Sequence, residues 1–272
     1  MINSTTRLVA IIGTPIAQVK SPENFNRHFE AEGADRAMIP IDLGPGQVAD
    51  FIRMARGWEN LDGFVVTIPH KTAVAELIDE LTPRARFLEA ANVVRRHPDG
   101  SLSGDMTDGE GFVRAAEAHG FSAAGRSVLL VGAGAAGRAI GHALAHDAAA
   151  EIFIGDLQED AALSLAARLA DAFPGVRIAA GKIPLRSFDL VVNASSCGMQ
   201  DTDPLPVPPE IIELMAAEGL AADVITSPEQ TPFLMLAAER GLKIQLGREM
   251  AKAQMFALGA AMGVMQETRA DG

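Results

Sequence analysis

The chain has 272 residues, a length that suits two domains, and its 48% hydrophobic and 21% charged content is that of an ordinary folded protein. Its formal net charge of −12 argues against binding nucleic acid through a broad basic surface. The single cysteine, Cys197, excludes an intramolecular disulfide, and no Cys/His group has zinc-site spacing. Neither a secretory leader nor a membrane-spanning apolar run is recognisable. We therefore expect a cytoplasmic protein with no metal, nucleic-acid or membrane partner.

Strand-like and helix-like segments alternate along the chain, which predicts an α/β fold with mostly parallel sheets. Strands are expected at 8–13, 37–43, 61–68, 90–95, 104–105, 127–131, 151–155, 176–179, 190–193, 220–225 and 243–245. Helices are expected at 21–33, 47–56, 71–81, 109–120, 135–145, 159–173 and 248–266. Residues 1–108 are predicted to form one domain, on which 247–272 pack back, and residues 109–246 a second domain.

A lysine follows the third predicted strand. The stretch from Gly63 to Ile68 is largely apolar, Pro69 directs a turn, and Lys71 comes two residues later. Because a lysine is costly to bury, this amine is either a solvated charge at a helix start or a placed catalytic group. The residues around it must decide between these alternatives.

A glycine-rich stretch joins the strand at 127–131 to a helix. It has the spacing G-x-G-x-x-G and consists of Gly132, Ala133, Gly134, Ala135, Ala136 and Gly137. The first glycine permits a tight turn, the second lets a pyrophosphate approach the backbone, and the third allows close helix–strand packing. Free amides at the helix start would then hold phosphate. The alternative is a glycine turn in a sheet without a ligand, but the strand before it and the helix after it favour dinucleotide binding.

An acid ends the next predicted strand. The carboxylate of Asp156 can accept hydrogen bonds from an adenosine ribose and would repel a 2′-phosphate. Neither Leu157 nor Gln158, which follow it, is basic. The sequence therefore favours NAD over NADP as the cofactor, and a cap for the following helix is the alternative role of Asp156.

Two more strand ends carry candidate site residues. Ser195 and Met199 lie in a small-residue loop after the strand at 190–193, and the polarizable sulfur of Met199 suits a nicotinamide ring, although a core methionine is the plainer interpretation. Asp108 stands between a strand and a helix, where its plainer interpretation is a helix cap. Only the whole ordered set of motifs changes this balance.

That ordered set resembles the shikimate dehydrogenase family from about residue 11 to residue 258. The matching segments are Gly13-Thr14-Pro15-Ile16, Lys20-Ser21-Pro22, Val66-Thr67-Ile68-Pro69-His70-Lys71, Ala91-Asn92, Thr107-Asp108-Gly109, the glycine loop, Asn193 with Ser196, Gly198 and Met199, Asp223-Val224, Pro228, Thr231-Pro232, and Gly247 with Met250 and Gln254. So many matches in the right order are specific to the family.

The resemblance implies an N-terminal α/β substrate domain and a C-terminal Rossmann domain with a doubly wound parallel sheet. It implies reversible NAD(P)-dependent oxidation of a secondary alcohol in shikimate, quinate or a related alicyclic hydroxy acid, with Lys71 and Asp108 as the acid–base pair. Positions that hold the substrate correspond to Ser21, Thr67, Asn92 and Gln254, and Gly247 falls in the cofactor set. We expect a monomer or a homodimer.

Several substrate-contacting positions depart from the family pattern. Val19, Val65, Val93 and Met106 stand where the family has polar residues, and Gln18 and Thr226 replace a histidine and a tyrosine. Because each lost polar contact costs roughly 1 to 3 kcal/mol, we expect weak activity on shikimate or a related but different substrate, unless neighbours such as Gln18 and Thr226 compensate. A catalytically inactive dinucleotide-binding regulatory protein is the alternative, and the retained Lys71 and Asp108 argue against it.

Overall fold

The computed structural model describes residues 2–200 and 202–266, which divide into two compact units. The first unit contains the chain up to Thr107 and again from Gln254, and the second contains Asp108–Ala253. In the described part of the chain, no helix has the length and apolar character needed to cross a membrane. The cytoplasmic location and the monomeric or dimeric state stay predictions.

A mixed sheet of six strands forms the centre of the first unit. Its strands are β1 (Arg7–Gly13), β2 (Arg36–Asp42), β3 (Leu61–Val66), β4 (Glu80–Leu81), β5 (Val93–Arg96) and β6 (Leu102–Asp105). They lie in the order β2-β1-β3-β5-β6-β4. β1 is parallel to β2 and β3, whereas β5 is antiparallel to β3 and β6. The carboxyl ends of β1 and β3 therefore lie side by side at one edge.

Helices cover both faces of this sheet because its central strands are apolar on both sides. The helices are α1 (Ser21–Ala31), α2 (Val48–Gly57), α3 (Lys71–Leu77), α4 (Pro83–Leu88) and α11 (Met255–Ala261). Phe64 and Val66 of β3 belong to the apolar cluster that includes α2, whereas Val65 belongs to the opposite cluster. Helix α11 packs against β5 and α1, which confirms that the last helix returns to the N-terminal unit.

The second unit is built on a six-stranded sheet whose described strands are all parallel. The strands are β7 (Ser127–Val131), β8 (Glu151–Gly155), β9 (Arg177–Ala180), β10 (Leu190–Asn193), β11 (Leu220–Asp223) and β12 (Lys243–Gln245). Its helices are α5 (Asp108–Ala118), α6 (Ala135–His146), α7 (Glu159–Ala172), α8 (Pro209–Leu214), α9 (Pro232–Glu239) and α10 (Gly247–Ala253). The strand order is β12-β11-β10-β7-β8-β9, so the chain winds outward from β7 in both directions. The predicted doubly wound sheet is confirmed.

Three local predictions need correction. Helix α3 ends at Leu77 rather than at 81, because Asp79 N donates to Leu102 O at 3.1 Å and draws the chain into β4 beside β6. Helices α4, α8 and α9 were not predicted; they are short helices of six to eight residues that each begin with proline. The helix expected at 248–266 is divided at Gln254 into α10, which packs against α5 in the second unit, and α11.

Candidate active site

Lys71 is the first residue of α3, directly after the turn that follows β3. Backbone hydrogen bonds hold this turn, since Thr67 N donates to Ile12 O at 2.9 Å and His70 N donates to Thr67 O at 3.1 Å. The His70 imidazole is 1% exposed, and its Nε2 lies 2.6 Å from Leu43 O. Lys71 itself is half-buried. The fold thus fixes the backbone that carries the amine at the carboxyl edge of the sheet.

A second set of hydrogen bonds joins the segment beside Lys71 to the residue before Asp108. Ala91 N donates to Lys71 O at 3.0 Å. The next residue, Asn92, is 2% exposed; its Nδ2 donates to Thr107 Oγ1 at 3.1 Å, and its Oδ1 accepts from Thr107 N at 2.9 Å. Asp108 follows, is buried, and begins α5. Thr107 was not predicted to have a role of its own, although a hydroxyl beside a candidate acid is a usable signal in the sequence.

The substituted substrate positions are largely apolar core. Val65 is 5% exposed and belongs to the same cluster as Val93, with Val19 packed against its edge. Met106 is fully buried. Apolar side chains at these positions are therefore integrated into the packing of the first unit.

The other predicted substrate residues differ in exposure. Ser21, at the start of α1, and Thr67 are half-buried. Gln254, the residue that follows α10 and precedes α11 in the chain, is buried. Thr226 is exposed in the loop after β11. A Cβ on Gly13 would collide with the Thr67 side chain, so glycine at the end of β1 permits the close approach of this threonine.

The three glycines of the loop after β7 have different structural roles. Gly132 has φ +108°, and a Cβ there would lie 2.7–2.8 Å from backbone atoms of Ala194 and Ser195. A Cβ on Gly137 would collide with Gly132 O, whereas a Cβ on Gly134 would meet nothing within 4 Å. The first and third glycines are required by the fold, and the second leaves open space at the start of α6, as an approaching pyrophosphate requires.

Asp156 is hydrogen-bonded to backbone on both sides. Its Oδ2 accepts from Ala133 N at 2.7 Å and its Oδ1 accepts from Gln158 N at 2.8 Å. The N-cap of α7 is Gln158, so Asp156 is not the helix cap. Each carboxylate oxygen keeps acceptor capacity for a ribose hydroxyl.

The loop after β10 borders the glycine loop at the same edge of the second sheet. Ala194 N donates to Val131 O at 2.7 Å, and Ser195 follows. Met199 is 51% exposed, which excludes a core role for this methionine. A Cβ on Gly247 would collide with the backbone at Ile225, so glycine lets α10 begin against the strand end of β11.

Comparison with known proteins gives consistent similarities. A family profile for the shikimate dehydrogenase substrate binding domain matches residues 11–94. The shikimate dehydrogenase (NADP(+)) of Geobacter metallireducens is 38% identical over 261 residues, which cover 93% of this chain and 90% of that protein.

Two solved structures extend this similarity to three dimensions. The ligand-free 5-ketofructose reductase of Gluconobacter sp. strain CHM43 matches with a TM-score of 0.84 at 30% identity, over 95% of this chain and 93% of that one. The shikimate 5-dehydrogenase of Thermus thermophilus, in complex with NADP(H) and shikimate, matches with a TM-score of 0.83 at 30% identity, over 95% and 94%.

The fold, the glycine loop and these similarities define an NAD(P)-dependent oxidoreductase that acts on a small molecule. The chain belongs to the shikimate dehydrogenase family.

Proposed function

We propose that the protein oxidises a secondary alcohol of shikimate, quinate or a related alicyclic hydroxy acid reversibly, with Lys71 and Asp108 as the acid–base pair. One observation carries the proposal: hydrogen bonds through Ala91, Asn92 and Thr107 link the Lys71 backbone to the residue before Asp108. These hydrogen bonds hold the backbone that carries the Lys71 amine to the backbone that leads into the buried Asp108.

The chemistry assigned to these residues follows from the reaction. Oxidation of an alcohol requires a proton to leave oxygen as hydride leaves carbon, and a lysine beside a carboxylate can accept that proton and stabilise a developing alkoxide. Ser21, Thr67, Asn92 and Gln254 are assigned to hold the substrate, while the bound nicotinamide supplies the hydride chemistry.

We propose NAD as the preferred cofactor. The open space at Gly134 and the free amides at the start of α6 suit a pyrophosphate. The acidic Asp156, followed by the 94% exposed Leu157, offers acceptors to a ribose diol and no cation to a 2′-phosphate.

We also propose that shikimate is a poor substrate. Apolar Val65, Met106 and Val19 lie in or against the core, and a site that has lost polar groups no longer compensates the desolvation of substrate hydroxyls. The match to a 5-ketofructose reductase supports including polyol ketones among the candidates.

Steady-state kinetics test the proposal, read by NADH or NADPH absorbance with shikimate, quinate, other alicyclic hydroxy acids and 5-ketofructose. We expect turnover of at least one of them, with NAD(H) preferred, and a kcat/KM for shikimate roughly 10- to 100-fold below that of the Geobacter relative assayed in parallel. An equal kcat/KM would refute the altered-substrate proposal. Dinucleotide binding without turnover of any substrate would support the regulatory alternative.

A further inference from the structure

A buried carboxylate ends β11 at the edge where the second sheet carries its glycine loop. Asp223 is fully buried and accepts hydrogen bonds from neutral donors. Its Oδ1 accepts from Ile225 N at 2.9 Å, and its Oδ2 accepts from Asn193 Nδ2 at 3.0 Å and from Thr231 Oγ1 at 2.7 Å. Burial raises the pKa of Asp223 despite these hydrogen bonds. Burying a carboxylate costs free energy, which indicates that the hydrogen bonds of Asp223 serve the structure or the function of this edge of the sheet.

Asn193 links this carboxylate to the loop at 194–199 through hydrogen bonds. Asn193 Nδ2 donates both to Asp223 and to Cys197 O at 2.9 Å, so two acceptors fix which way the amide faces. Its Oδ1 is thereby turned to accept from Ser195 N at 3.1 Å and from Ser195 Oγ at 2.6 Å. The asparagine thus orients the start of the loop.

The donor and acceptor roles of the Ser195 hydroxyl are therefore fixed. Its proton is donated to Asn193, and its oxygen accepts from Cys197 N at 3.1 Å. A hydroxyl has one proton and two lone pairs, so Ser195 keeps one lone pair and can only accept from a further partner. Thr231 also lies close to the other end of the loop, where a Cβ added to Gly198 would be 3.2 Å from the Thr231 Cβ.

The sheet order indicates which half of a dinucleotide this loop borders. β7 lies between β8, which ends at Gly155 just before Asp156, and β10, which ends at Asn193. Dinucleotides bind across the carboxyl ends of the strands at the point where the winding reverses. An adenosine ribose at Asp156 therefore leaves the nicotinamide half on the β10 side.

We propose that Asp223 is a positioning residue for the nicotinamide half of the cofactor. Through Asn193 it fixes the loop at 194–199 and presents the Ser195 hydroxyl as a hydrogen-bond acceptor, which suits a donor such as a primary carboxamide. This inference rests on the proposed function.

The test compares two ligands on the full-length chain, NAD and ADP-ribose, which lacks the nicotinamide. In Asp223→Asn an amide N–H₂ faces either Asn193 Nδ2 or Ile225 N, both donors, so the loop loses its alignment. We expect the Kd of ADP-ribose to stay within about 2-fold of the wild-type value and the kcat/KM for NAD to fall by at least about 10-fold, since a misplaced reacting group slows turnover strongly.

Asp189→Asn is the matched control. Asp189 lies just before β10, at the opposite end of that strand, where its carboxylate accepts from Ser127 N and Oγ. This control should leave both measurements unchanged.

Equal losses for NAD and ADP-ribose in Asp223→Asn, or unchanged NAD turnover, would overturn the inference. If this variant does not fold, Thr231→Val and Thr231→Ser decide in its place: only the serine variant keeps the hydroxyl donor, so only the valine variant should lose NAD turnover while retaining ADP-ribose binding. Equal behaviour of these two variants would also overturn it. A wild-type chain that binds neither ligand would instead refute the proposed function.

Discussion

The two units offer their candidate ligand groups in different ways. In the first, the proposed groups are side chains, and Lys71, Thr67 and Asn92 lie around the carboxyl ends of β1 and β3 and the segment before β5. In the second, the glycine loop offers backbone amides and open space, and side chains such as Asp156 serve to hold backbone. A site made of backbone keeps its ligand groups as long as its glycines are retained, whereas a site made of side chains can change its ligand with a single substitution.

This difference explains where the chain departs from its family. The glycine spacing after β7 is intact because Gly132 and Gly137 have no room for a Cβ. Val65 and Met106, by contrast, pack in the first unit without any conflict. Substrate choice can therefore change while dinucleotide binding is retained.

The strongest test of the comparison removes the amine of the first unit. For Lys71→Ala we expect kcat to fall roughly 100- to 10,000-fold with the best substrate, because general acid–base groups contribute on that order. The Kd for NAD should change little. Lys182→Ala, at an exposed lysine of the second unit, serves as the control. A kcat within about 3-fold of wild type would remove Lys71 from the chemistry.

The second test changes a side chain of the backbone-built site. Asp156→Ser should lower kcat/KM for NAD by about 10- to 100-fold, since the ribose acceptors and the hydrogen bond to Ala133 N are lost together, and should lower it less for NADP. Asp160→Asn, an exposed acid in the first turn of α7, is the control. An unchanged ratio of the two cofactors would mean that Asp156 does not select between them.

The third test restores a polar group to the first unit. Val65→Asn should raise kcat/KM for shikimate by about 5- to 10-fold, the value of one hydrogen bond, while lowering stability because an amide enters the core. Val66→Asn is the matched control, since Val66 belongs to the cluster on the opposite face of β3. If both variants lose stability and neither gains activity, Val65 does not face the substrate.

The smallest expected effect concerns stability alone. Burial would raise the pKa of Asp105, but hydrogen bonds from Arg84 and Thr82 outweigh it and the pKa is lowered. The stabilisation is therefore present above the ordinary value of 3.8 and is lost as pH falls through the lower folded-state pKa. Asp105→Asn should lower the free energy of unfolding by about 2 kcal/mol at about pH 7, and by progressively less as the solution is acidified below about pH 4.

Urea unfolding followed by the fluorescence of Trp58 measures this effect within the first unit, because the chain has one tryptophan and no tyrosine. Asp50→Asn, which removes an exposed ion pair with Arg53, should change stability by less than about 0.5 kcal/mol. A pH-independent loss for Asp105→Asn would contradict the linkage.

Much of the architecture could be predicted from local patterns. The strand bounds of β7, β8, β10 and β12 agree with the predictions. For β7 and β10 the reason is that buried parallel strands are nearly continuous apolar runs. Helix α3 was predicted too long because its last turn gives way to pairing of β4 with β6, a contact between segments distant in sequence. Propensity does not carry such tertiary information.

Most residues of the candidate site could be predicted from the sequence, but the hydrogen bonds between them could not. Lys71, Asp156 and the glycines stand out by type and spacing. The contacts of Thr107 with Asn92, and of Asp223 with Asn193, join residues 15 and 30 positions apart, so only the fold shows them. Sequence also left Met199 open to a core role, which its exposure excludes.

The first unit is assembled from two separated stretches of chain, and this has a consequence for synthesis. Helix α11 packs on β5 and α1, yet the whole of the second unit, Asp108–Ala253, is made before it. A domain folds as it leaves the ribosome only when all its segments have emerged. The second unit can thus fold first. The first unit is completed only after α11 has been synthesised, and until then the apolar surface that Leu258 and Met262 cover is exposed.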